Sequence, residues 1–255
     1  MTDNYRREIN ICAIPNLTTT INKSTANNVE PAIITCVASN QSEDLMNGTY
    51  IVKCGDIAFG NTLLYGPHKC FQQHDKPIFK NGYWNGDCWI SRYTSLNIYD
   101  THTNLYKGST STIVNGNPVL GEYVSITAPY SFVLSSYSIT SANYNGVSNP
   151  AKAWIIGGSN DGGKTYELVH AVNDSGLSLI GGEFATISKD YKTYNTKMYT
   201  TYIIIITQVL GGGAANLGAW NIYRTNVIYN YYKNNNGNIN CQVIYTKSAK
   251  KIDGI

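Results

Sequence analysis

The sequence predicts an all-β protein: an antiparallel β-sandwich of jelly-roll type, with an N-terminal arm and a C-terminal tail. Three observations carry this. Short apolar or alternating runs recur between Gly48 and Tyr223, separated by turn residues. The 21 Tyr, with many Asn, Thr, Ser and Gly, suit strands and turns and suit helices poorly. No segment sustains a helical period.

Residues 1–44 read as the arm. Asn16-Leu17-Thr18-Thr19-Thr20 and Asn22-Lys23-Ser24-Thr25 are polar and turn-prone, and only Pro31 to Val37 has a strand pattern. Residues 45–230 read as the sandwich. Thr49 to Cys54 is its first strand, and an irregular Gly-, Asn- and aromatic-rich stretch runs from Phe59 to about Tyr106. Glu122 to Ile126 alternates, and Phe132 to Leu134 and Tyr137 to Thr140 come after Pro129 as further strands. Trp154-Ile155-Ile156 and Tyr166 to Val169 flank Asn160-Asp161-Gly162-Gly163, residues that accept positive φ, and so form a hairpin. Thr201 to Thr207 is apolar along Tyr202 to Ile206, as in a strand buried on both faces. Ala219 to Tyr223 closes the series. Residues 231–255 read as the tail, with a linker-like run at Asn234 to Asn238 and a strand pattern at Gln242 to Tyr245.

Composition excludes several functions. Charged residues make up 14 %, against roughly 25 % in ordinary globular domains. The net charge of +3 gathers near Lys247, Lys250 and Lys251, with no basic helix or dense patch, so no nucleic-acid partner is expected. The longest apolar run, Ile203 to Ile206, is too short to span a bilayer. Met1 to Asn10 has no apolar core of a signal peptide, which predicts synthesis in a cytosol. Six cysteines, Cys12, Cys36, Cys54, Cys70, Cys88 and Cys241, leave their pairing open, although synthesis in a cytosol favours reduced thiols.

Four sequence features bear on chemistry. Ser159-x-Asp161-x-Gly163-x-Thr165-Tyr166 has the form of an Asp-box, in which Asp and Ser tie a turn to its own backbone. Sialidases repeat that motif once per blade, and here it occurs once, so its expected role is structural. Gly211-Gly212-Gly213 comes after an apolar strand, but no Lys-Ser/Thr ends the run, so a loop rather than a phosphate cradle is expected. Cys54, His68, Cys70, His74 and Cys88 share one irregular stretch without a Cys-x-x-Cys knuckle, and buried or disulfide-bonded cysteines are the expectation rather than a metal site. Tyr83-Trp84-Asn85-Gly86-Asp87-Cys88-Trp89 is the candidate binding loop. Aromatic faces stack on the C–H faces of sugars, while Asn and Asp satisfy hydroxyls. The candidate ligand residues are Tyr83, Trp84, Asn85 and Asp87, with Trp89 expected as a core anchor. No catalytic residue and no cofactor is expected, since His68, His74, His102 and His170 sit in no nucleophile–base motif.

Residues 48 to about 224 resemble the discoidin, or coagulation-factor type C, branch of the galactose-binding-like β-sandwiches. The resemblance lies in Gly48 to Val52 as the opening strand, Trp89-Ile90-Ser91 as a Trp-x-Ser landmark, Gly121 to Ile126 with Phe132 to Tyr137 after it, the Trp154 hairpin, and the final pair Tyr202 to Ile206 and Trp220 to Tyr223. The chain departs from that family in lacking its end-clipping cysteine pair and in a longer stretch from Tyr99 to Pro118. Signal-free, Tyr- and Asn-rich versions with the Gly-Ser-Asn-Asp-Gly wording are similar to proteins of large DNA viruses. That similarity implies a non-enzymatic virion structural protein, a minor capsid or capsid-associated component made in the host cytoplasm and partnered by other capsid or virion proteins. The alternative it leaves is a carbohydrate-binding attachment module with glycans as partners.

Overall fold

A computed structural model describes residues 8–9, 17–20, 32–36, 48–55, 57, 65–71, 88–91, 97–141, 149–177, 188–211, 213–233 and 239–246. Its strands in chain order are β1 (Glu8–Ile9), β2 (Leu17–Thr20), β3 (Ala32–Cys36), β4 (Gly48–Cys54), β5 (Trp89–Ile90), β6 (Ser111–Val114), β7 (Asn117–Leu120), β8 (Glu122–Thr140), β9 (Ala151–Ser159), β10 (Glu167–Val172), β11 (Ser188–Lys192), β12 (Tyr199–Val209), β13 (Asn216–Leu217), β14 (Ala219–Lys233) and β15 (Ile239–Thr246). A five-residue 3-10 turn, Pro67–Phe71, lies between β4 and β5. The chain is an all-β antiparallel sandwich, as the residue pattern predicts.

The large layer runs β10-β9-β12-β8-β4-β3-β2. The second layer forms around the far half of β8, which pairs β11 on one side and β14 on the other. One strand therefore serves both layers. The sequence reading divides this stretch into separate strands, and the structure joins them through a bend at Pro129. There Thr201 pairs Thr127 but Tyr199 pairs Phe132, so the extra residues of β8 bulge out. Proline donates no ladder hydrogen bond, so it fits such a bulge. Tyr202 stitches the bend: its hydroxyl donates to Phe132 O at 2.6 Å and accepts from Leu134 N at 3.0 Å.

The core lies between the layers. Val52, Ile126, Trp154, Ile156, Ile204 and Ile206 from one layer meet Leu134, Tyr137, Ile139, Trp220 and Ile222 from the other. Tyr137 joins the layers by hydrogen bonds as well. Its hydroxyl accepts from Trp154 Nε1 at 2.8 Å and lies 2.8 Å from His170 Nδ1. Trp Nε1–H only donates, so the Tyr137 oxygen is the acceptor in the first of these contacts.

The outer face of the large layer is covered too. β6 and β7 form a hairpin flap, closed by Asn115 (φ 48°) and Gly116 (φ 79°). An Asn-Gly pair suits such a two-residue turn because both positions need positive φ. Val114 of the flap packs with Tyr166, Ile203 and Ile205 in a second apolar cluster. Tyr166 N donates to Ile113 O at 3.0 Å, and Asn115 N donates to Tyr166 O at 2.8 Å. This explains the uninterrupted apolar run of β12: Ile204 and Ile206 face the main core, and Ile203 and Ile205 face the flap.

The terminal segments also add strands. Leu17–Thr20, read from sequence as turn-prone, is a strand pairing β3, consistent with the β preference of threonine. β3 pairs β4, and β1 pairs β14. β14 runs on beyond Tyr223 to Lys233 and pairs β15, forming a two-stranded ribbon. The Asn234 to Asn238 run lies outside the described residues.

Candidate functional site: the loop-bearing end

Register fixes which loops share an end of the sandwich. Cys54 pairs Val124, and Ile206 pairs both Glu122 and Trp154. The connections after β4 and β12, before β8 and before β9 therefore gather at one end. The candidate ligand residues Tyr83, Trp84, Asn85 and Asp87 lie outside the described residues. The short strand β5, immediately C-terminal to them, is firmly anchored. Trp89 is fully buried and pairs Leu217, as expected of a core anchor. Ser91 N donates to Ala215 O at 2.9 Å, and Ser91 Oγ accepts from Ala215 N at 2.9 Å.

Asparagine amides gather beside this clamp. Gly213 has φ +96°, and a Cβ built there would lie 3.5 Å from Asn149 Nδ2 and 3.6 Å from Asn97 Oδ1. Its carbonyl accepts from Ile98 N at 3.1 Å and Tyr99 N at 3.3 Å. That use of the carbonyl supports the reading of the glycine run as a loop. Pro150 bridges Asn216. The Oδ1 atoms of Asn149 and Asn216 are buried and have no hydrogen-bond partner among the described residues. A buried acceptor left unpaired costs about 1–3 kcal/mol.

The floor beneath is rigid. Tyr99 Oη donates to Ile206 O at 2.9 Å. Glu122, buried at the start of β8, accepts at Oε1 from Tyr106 Oη at 2.7 Å and Thr110 Oγ1 at 3.0 Å. Burial raises the Tyr99 hydroxyl well above its usual range and pushes Tyr106 up to about 12, so both stay protonated. Above them, Asp100 Oδ1 caps a tight turn, accepting from His102 N at 2.9 Å and Thr103 N at 2.8 Å. Those hydrogen bonds, that from Thr103 foremost, hold its carboxyl below the usual range. The Tyr99, Tyr106 and Thr110 hydroxyls are thus committed to the frame that carries the Gly213 contacts.

The cysteine- and histidine-bearing stretch contributes to the core. Cys54, Cys70 and Cys88 are buried thiols, and Cys70 Sγ donates to Pro67 O at 3.0 Å. His68 is buried on the same turn, and desolvation, helped by nearby Lys69, lowers its pKa to about 4. Among the described residues no group of three or more His, Cys, Asp or Glu is placed to hold a metal. His74 lies outside the described residues.

The Asp161 turn has the structural role read from its sequence. Ser159 Oγ donates to Asp161 Oδ1 at 2.6 Å, and Lys164 N and Thr165 Oγ1 donate to the same carboxylate at 2.9 and 2.6 Å. Gly162 and Gly163 take φ near +80°. The glycines before the turn have a packing reason. A Cβ on Gly158 would lie 2.3 Å from the Tyr199 ring, and one on Gly157 would lie 2.9 Å from Tyr166 Cβ.

No family model matches the chain, and no curated protein matches it by sequence. Solved structures are similar to it in fold. One is the family 32 carbohydrate-binding module of Clostridium perfringens NanJ, solved with galactose, at 15 % identity and TM-score 0.40, covering 68 % of this chain and 93 % of that one. Another is an F5/8 type C domain from Bacteroides fragilis, at 10 % identity and TM-score 0.42, covering 68 % and 90 %. A third is a fucolectin from striped bass (Morone saxatilis) serum, at 9 % identity and TM-score 0.42, covering 69 % and 47 %. The chain's own strand pairing displays the two antiparallel layers of a β-sandwich directly.

Proposed function

We propose that residues 45–230 form a non-catalytic recognition module that binds glycans at the loop-bearing end. The observation that supports this most is the grouping of the Asn97 and Asn149 amides around Gly213, with Pro150 bridging Asn216 beside them. A sugar hydroxyl donates and accepts at once, which matches an amide side chain. In this reading Tyr83, Trp84, Asn85 and Asp87, just ahead of the Trp89 anchor in the chain, supply the aromatic face and further hydroxyl partners.

A glycan array probed with the full chain tests the proposal. The expected result is selective binding that Trp84→Ala and Asn149→Ala each weaken roughly tenfold. Absence of glycan binding, or binding that both variants retain in full, overturns it.

A second reading has the module incorporated into a virus particle beside other capsid or virion proteins. Its support is the set of sheet edges: β2 and β10 end the large layer, and β15 pairs only β14 among the described strands. Such edges are templates for pairing with a neighbouring chain. Finding the chain at fixed stoichiometry in purified particles is the expected result, and its absence from them overturns this reading.

A further inference from the structure

The opposite end of the sandwich carries an aromatic side chain that the fold does not use. Tyr194 is 93 % exposed, whereas the next most exposed large apolar residues, Leu105 and Leu120, are at 52 %. The segment that carries it is tightly built. On one side, Thr193 N donates to Ser135 O at 2.9 Å and Thr193 Oγ1 donates to Leu134 O at 2.5 Å. On the other, Asn195 brackets Lys197, donating to its carbonyl at 2.8 Å and accepting from its amide at 2.9 Å. Asn160 locks the neighbouring turn to the same segment, donating to Met198 O at 2.8 Å and accepting from Thr200 N at 2.9 Å. Lys197 also pairs with Glu167 of β10. The backbone of a solvent-facing tyrosine is thus held from both flanks while its ring stays almost wholly exposed.

We infer that Tyr194 is the platform of a second ligand site, at the end remote from Gly213, and that its ligand is a sugar ring of a glycan. A tyrosine offers a flat amphipathic face at low conformational cost, and a pyranose presents a matching C–H face. The surroundings favour a sugar over a protein partner. A protein hot spot is centred in an apolar, desolvated patch. Here Lys192, Thr196 and Lys197 are exposed around the ring in sequence. The exposed Leu168 alternates with Glu167 along β10, so it points to the face opposite the Lys197 pair. An exposed ring whose exposed chain neighbours carry hydroxyl and ammonium groups suits a polyol rather than an apolar partner.

This inference shares its ligand class with the glycan reading above but uses different residues. The test is an array of neutral galactosides and their sialylated counterparts, probed with the full chain, Tyr194→Ala, Tyr194→Phe and Trp84→Ala. Tyr194→Ala is expected to weaken at least one glycan roughly tenfold, Tyr194→Phe to keep it, and thermal melting to stay unchanged because the ring is outside the core. Glycans lost in Tyr194→Ala but kept in Trp84→Ala support this site even if the loop-end reading fails. The inference is overturned if Tyr194→Ala binds every glycan as the unaltered chain does, if Tyr194→Phe loses as much as Tyr194→Ala, or if the chain binds no glycan at all.

Discussion

His68 sits buried on a 3-10 turn, and its ring nitrogen Nδ1 has no hydrogen-bond partner among the described residues. Its folded pKa of about 4 lies well below the ordinary 6.5. Above pH 6.5 neither state binds the proton, so the full stability is present. Between 6.5 and about 4 the unfolded chain takes up a proton that the folded chain refuses, so stability falls as pH falls. The span corresponds to about 3 kcal/mol. Burial holds His170 below its usual value as well, which adds loss in the same direction. The melting temperature is expected to drop between pH 7 and pH 4.5, and His68→Phe is expected to flatten much of that drop. An unchanged slope in the variant would assign the acid sensitivity elsewhere. His68 is legible in the sequence as one member of a cysteine- and histidine-bearing stretch, but its burial is not. The turn that carries it packs against β14, where Phe71 meets Trp220 at 5.6 Å, a contact between segments far apart in the chain.

At the level of elements, the flap is the part least evident from the residue pattern. Its signal is present: Asn115-Gly116 stands between Ile113-Val114 and Val119-Leu120, a strong hairpin pattern. Set beside the family it resembles, Tyr99 to Pro118 stands out only as a long stretch. The burial of β12 on both faces is legible from its apolar run, and that burial needs a cover. The Trp154 hairpin is readable for a different reason, since its turn is tied by side chains within a few residues of one another. Ile203→Ala removes apolar volume between β12 and the flap and is expected to cost about 2–5 kcal/mol. A chemical denaturation midpoint that moves little would show that the flap is only loosely seated. The bend in β8 is half legible. Pro129 marks the break, but the continuation of the strand depends on Tyr202 reaching across from β12.

For the molecule as a whole, β8 and the Tyr137 contacts make the two layers one unit. Tyr137→Phe leaves the buried Trp154 N–H without its acceptor and is expected to cost about 1–3 kcal/mol. Unfolding followed by tryptophan fluorescence and by far-ultraviolet circular dichroism is expected to give one shared midpoint in both proteins. Two separated transitions would mean that the layers melt independently. The architecture is readable because regular strand spacing and composition are properties of the chain alone. The recognition surface is readable only in part. Asn149 and Asn216 come together through strand pairing, and nothing around Tyr194 in sequence distinguishes it from the tyrosines that fill the core.

The sharing of β8 also bears on how the protein meets a mechanical load. A pull on the edge of one layer is transmitted into the other through the continuous backbone of β8. Ligands gripped at opposite tips of the body would therefore be coupled by a stiff strut rather than by a hinge.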